Sequence, residues 1–129
     1  MKIVEFVLPF VPTMFTVLLL LCSNIFMTVA WYWHLTSHRF ALATIIAVSW
    51  FIALPEYCLA VPANRMGHIS NGGSFTAPQL KILQEGIALV VFLAFSIIYL
   101  KEMPRWTDFA GMGLIMAGLA VALLGRGAT

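Results

Sequence analysis

The chain has 129 residues, of which 62% are hydrophobic and 9% charged, with a formal net charge of +2. A soluble domain carries about a quarter charged residues, so this composition cannot clothe a globular surface, and its apolar groups face lipid. The seven basic residues, Lys2, Arg39, Arg65, Lys81, Lys101, Arg105 and Arg126, form no run, which argues against a nucleic-acid partner and against a polybasic headgroup patch.

At about 20 apolar residues per membrane helix, the length holds four spans and leaves no room for a soluble catalytic domain. The first span is predicted over about 10–33, with Pro9 and Pro12 at its start, where a missing N–H costs little. Trp31, Tyr32 and Trp33 close it as an interfacial aromatic anchor. Thr28-Val29-Ala30 resembles a cleavage site, but the uncharged run before it outlasts a signal peptide's apolar core of about 7–15 residues. It is therefore read as a retained helix.

Span two is predicted over about 40–61, ending at Pro62, and a loop rich in turn residues, Asn71-Gly72-Gly73-Ser74 among them, leads to Pro78. Span three follows over about 81–100, with a start at Gln79 or Lys81, and span four over about 106–124 after the loop Lys101 to Arg105. The expectation is an all-α, four-helix transmembrane bundle, one domain, with both termini and the long loop on one side. Four basic residues fall on that side and three on the other, so the positive-inside rule leaves single and dual topology both open. Cys22 and Cys58 fall in apolar stretches and read as small buried hydrophobes. No metal-ligand cluster or cofactor motif occurs, so no metal and no cofactor are expected.

A charge at mid-span costs roughly 2.5–3.5 kcal/mol on insertion scales, so each one asks for a reason. Glu56 is expected ~9 Å inside the edge of span two, and Glu85 ~6 Å inside the same edge of span three. Tyr57, Asn64, Arg65, Lys81 and Gln84 form a polar layer around them. Burial disfavours a carboxylate's charged form, so such acids can exchange a proton for a polar or cationic substrate. The plainer alternative is a clasp in which Arg65 or Lys81 holds the acids ionised. Lys81 and Glu85, four apart on one helix face, favour it for that pair. In span one Asn24 and Thr28 share a face, and Asn24 serves either an interhelical hydrogen bond or a polar pathway. Gly111, Gly118 and Gly125 recur every seven residues in span four, a face suited to close packing within the chain or against a second copy.

Tyr99-Leu100-Lys101-Glu102-Met103-Pro104, Phe109-Ala110-Gly111 and Leu114-Ile115-Met116-Ala117-Gly118 resemble the last-hairpin signature of the drug/metabolite transporter superfamily. Ser23 to Thr28, Ala30 to Tyr32, Glu56 to Cys58, Val61 to Arg65 and Pro78 to Ile82 resemble its four-helix bacterial branch, related to the small multidrug resistance proteins. Those relatives form antiparallel dimers around a span-one Glu. Here span one has Asn24 and no carboxylate, so drug–proton antiport does not carry over and any coupling falls to Glu56 or Glu85. The resemblance implies a small-molecule transporter subunit in a bacterial inner membrane, working as a homo-oligomer (a dimer, parallel or antiparallel). The competing reading is a non-transporting accessory subunit of a larger membrane complex. An enzyme fits least, because no nucleophile–base pair is visible.

Overall fold

The structure is a computed structural model and describes residues 2–7 and 11–125. Pro9, Phe10 and Arg126, which figure in the expected ends of the first and last spans, lie outside the described residues. A six-residue helix α1 (Lys2–Val7) precedes α2 (Val11–Tyr32), which ends in the 3-10 turn Trp33–Thr36. Then come α3 (Leu42–Gly67), α4 (Ala77–Phe95), a π turn over Ser96–Leu100, and α5 (Trp106–Leu124). With their turns, α2 to α5 give four stretches of 26, 26, 24 and 19 residues, each long and apolar enough to cross a membrane. The described residues contain no strand, only a single bridge between His68 and Phe75. The expected fold class is what the structure has.

Two helix ends differ from expectation, each for a local reason. α3 runs through Pro55 and Pro62 and ends at Gly67. Proline removes one N–H and frees the carbonyl four residues back, but membrane helices tolerate this where neighbouring groups compensate. α4 starts at Ala77 because Thr76 caps it: the Thr76 hydroxyl accepts from Gln79 N–H at 3.4 Å, and Thr76 N–H donates to Gln79 Oε1 at 2.9 Å. This capping box, with Pro78 in the first turn, stands in the sequence as Thr-x-x-Gln.

The core is a three-helix unit. α2 buries Thr16, Leu20, Ser23, Asn24, Thr28 and Ala30, and α3 buries Glu56, Ala60, Ala63 and Gly67 at spacings of four, three and four. Small residues repeating at that spacing let two antiparallel backbones approach closely, which is what drives packing where lipid removes the hydrophobic difference. A Cβ built on Gly67 would stand 2.7 Å from Thr16 Cγ2. α4 completes the unit, and α5 packs against α4, where Leu119 Cδ2 would lie 2.3 Å from a Cβ on Gly86. α5 itself buries no residue.

Among the described residues nothing lies within 4 Å of a Cβ added at Gly111, Gly118 or Gly125, although Gly111 shares a cleft with Phe92 and Ser96. Cys22 and Cys58 correct their reading: both are free and exposed on the outer faces of their helices, not buried. The Trp31 to Trp33 anchor is partly tied inward, with Trp33 Nε1 donating to Ser49 Oγ at 3.0 Å and the Tyr32 ring edge-on to Phe92 at 4.7 Å.

A polar centre between the first three spans

Because α3 continues to Gly67, Glu56 stands eleven residues from its end, ~16 Å along the axis and near mid-span. Glu85 stands eight residues after Ala77, ~12 Å in. Both acids are therefore deeper than the sequence suggested, and the two are not paired with each other. Ser23 of α2 bonds Glu56, whereas the next residue, Asn24, lines a cleft with Glu85.

Ser23, fully buried, donates its hydroxyl to Glu56 Oε1 at 3.1 Å across the α2–α3 contact. Glu56 is 9% exposed, and among the described residues no Lys or Arg nitrogen lies within ion-pair distance of it. The Arg65 or Lys81 clasp is thus not formed on Glu56. Membrane-depth acids without a counter-ion are costly and mark working sites more often than scaffolding.

Asn24, 0% exposed, donates its amide to Leu20 O at 2.8 Å, while its Oδ1 has no hydrogen-bond partner. An unsatisfied buried carbonyl costs about 1–3 kcal/mol. Asn24 lines a cleft of about 470 Å³ between α2 and α4, together with Thr28, Glu85, Trp31, Tyr32 and Phe92. Glu85 is also held by Lys81 at 2.7 Å, the pairing expected from their spacing, with side chains 56% and 71% exposed respectively. Glu85 is therefore both clasped and at the rim of a cleft.

The other polar residues part company. Tyr57 is 60% exposed and points away from this centre. Asn64, Arg65, Lys81 and Gln84 line a second cleft at the loop end of α3 and α4, joined there by His68 and Asn71. The sequence gives Ser23 and His68 no role and Asn71 only that of a turn residue. Ser23 was findable as the neighbour of Asn24, but His68 and Asn71 depend on how the loop folds. Glu102, in the loop that carried the resemblance, caps through its backbone: its N–H donates to Ser96 O and its carbonyl accepts from Ser96 Oγ, both at 2.9 Å. Lys101 takes the left-handed conformation there, with φ of 58°.

Four apolar spans, three of them enclosing a polar centre, define an integral membrane protein of the small helical-bundle class. Residues 16–123 match the family model described as "Putative member of DMT superfamily (DUF486)". The chain belongs to that family. No curated protein and no solved structure matches it.

Proposed function

We propose that the chain is one subunit of a small-molecule transporter of the drug/metabolite type, housed in a bacterial inner membrane, and that it performs no covalent chemistry. The observation that carries this reading is the split around Ser23 and Asn24. One holds a buried acid without a counter-ion, and the other lines the Glu85 cleft with an unsatisfied carbonyl. A small polar or cationic substrate suits the cleft. An N–H donor recovers the cost of Asn24 Oδ1, the rings of Trp31, Tyr32 and Phe92 offer faces to a cation, and Glu85 offers charge. A cationic ligand entering there competes with Lys81 for Glu85. Glu56 supplies the coupling proton.

The unit is proposed to work as a homo-oligomer, a parallel or antiparallel dimer. Four short helices do not enclose a two-sided pathway alone, whereas an inverted pair can alternate access. The uncovered glycine face of α5 supports a second copy. The same uncovered helix also favours the accessory-subunit reading, in which α5 docks on another chain and the centre stays dry.

Flux in proteoliposomes, with ethidium as a fluorescent cation and an imposed proton gradient, separates the two. Wild-type protein is expected to move the probe. Asn24→Ala and Glu85→Gln are each expected to lower the rate by about tenfold or more, the size of effect that 1.4 kcal/mol at the site produces. A folded wild-type protein that moves no probe under any gradient favours the accessory reading.

A further inference from the structure

The cleft at the loop end of α3 and α4 is distinct from the polar centre, though the Lys81–Glu85 pair joins the two, and it gathers what the scattered basic residues of the sequence did not suggest. Its walls include Asn64, Arg65, His68, Asn71, Lys81 and Gln84, around about 550 Å³. Arg65 sits in the last turn of α3 and Lys81 in the second turn of α4, so two cations from different helices meet in one concavity at a helix-end level. That level is where headgroups lie, because a 26-residue helix is ~39 Å long and overshoots a hydrocarbon core of about 30 Å.

The donor set is only partly spent. Arg65 makes no ion pair among the described residues, whereas Lys81 is paired with Glu85 at 2.7 Å. His68 Nδ1 accepts from Ser70 N–H at 3.2 Å and lies 2.7 Å from Ser70 Oγ, so in the neutral ring the proton sits on Nε2 and is free to donate. The loop is held in place for this. Asn71 Nδ2 donates to Arg65 O at 3.0 Å, Ile69 N–H to Phe75 O at 2.9 Å and Phe75 N–H to Gly67 O at 3.0 Å. Among the described residues the lining itself holds no carboxylate, and the nearest charge balance is Glu85 on Lys81. One uncompensated guanidinium, a shared ammonium and neutral N–H donors together fit a singly charged phosphodiester.

We propose that this cleft binds the phosphate of an anionic phospholipid, taking the headgroup between Arg65, His68 and Lys81 while the acyl chains follow the apolar outer faces of α3 and α4. Basic pockets between membrane helices recognise anionic headgroups by this chemistry. The site does not depend on transport, and it bears on a subunit of either kind.

The test is native mass spectrometry of the detergent-solubilised protein titrated with dioleoylphosphatidylglycerol, dioleoylphosphatidylcholine or water-soluble glycerol 3-phosphate. The wild type is expected to retain phosphatidylglycerol in preference to phosphatidylcholine. Arg65→Gln is expected to weaken that retention about fivefold, the contribution of one basic residue at an anionic surface. Arg65→Lys keeps most of it, and Arg39→Gln, at the other end of α3, leaves it unchanged. Melting of Arg65→Gln without lipid serves as the folding check; if that variant is unstable, the Arg65→Lys comparison and the lipid preference of the wild type decide. Equal retention of both lipids by the wild type, or equal phosphatidylglycerol retention by Arg65→Gln, would overturn the proposal. Displacement of the lipid by an equal concentration of glycerol 3-phosphate would overturn its lipid source, assigning the cleft to a free phosphate ester.

Discussion

Glu56→Gln is expected to leave the protein folded and to abolish the pH dependence of transport. Glutamine keeps the size of the side chain and keeps an acceptor for the Ser23 hydroxyl, which donates to Glu56 Oε1 at 3.1 Å. No basic residue is ion-paired to Glu56 among the described residues, so the substitution strands no partner charge. What it removes is the capacity to release a proton near mid-span. Melting curves of mutant and wild type should therefore agree, while proton-driven flux falls at least tenfold. Ser23→Ala separates structure from coupling: it takes one hydrogen bond from a buried carboxylate, at a cost of about 1–3 kcal/mol, without removing the titratable group. If Glu56→Gln kept its full pH response, coupling would rest on Glu85 alone and Glu56 would be an interhelical strut.

Gly73→Ala is expected to be the most destabilising glycine-to-alanine change among the described residues. The added Cβ would fall 2.2 Å from both the carbonyl carbon and oxygen of Gly67 and 2.6 Å from Met66 O. Those are backbone atoms at the end of α3 and cannot swing aside as a side-chain tip can. Overpacking typically costs about 1–3 kcal/mol, and relief here means breaking the loop's own bonds, Gly73 N–H to His68 O and Phe75 N–H to Gly67 O, both at 3.0 Å. The neighbouring Gly72→Ala meets open space among the described residues and is strained only by its φ of +84°, which costs about 1–2 kcal/mol. Gly118→Leu should leave the melting of the monomer unchanged and lower the oligomer yield, because none of the described residues lies within 4 Å of a Cβ added there. Thermal melts and size-exclusion profiles of the three variants check this order. A Gly73→Ala protein as stable as wild type would contradict the loop packing.

The four spans were legible because charge depletion and length act on whole segments, and neither depends on tertiary detail. Their ends were less so. Pro62 reads as a stop in water but lies within α3, and the Thr76–Gln79 capping box, visible in the sequence, sets the start of α4. Glu56, Glu85 and Asn24 stood out as polar groups in apolar runs, but their partners depend on helix rotation, which spacing alone does not fix. That is why Ser23, one residue from Asn24, is the group that reaches Glu56. The glycine pattern drew attention to α5, whereas the close approaches within the chain are at Gly67, Gly73 and Gly86. A regular repeat marks a face; only the neighbouring element shows what covers it.

The central claim is that the centre around Asn24 is a place that water and small molecules reach. Replacing the exposed Cys22 and Cys58 by Ser and introducing Asn24→Cys gives a single thiol at a position that is 0% exposed in this structure. Labelling it in sealed proteoliposomes with a membrane-impermeant methanethiosulfonate, added inside or outside, asks whether the centre opens. A transporter subunit is expected to label from both faces, each to more than half of the protein, so that oppositely inserted copies cannot account for it. A thiol that stays unlabelled from both faces, while a control variant with its single cysteine at a terminus labels fully, would contradict the claim and leave a dry scaffold in its place.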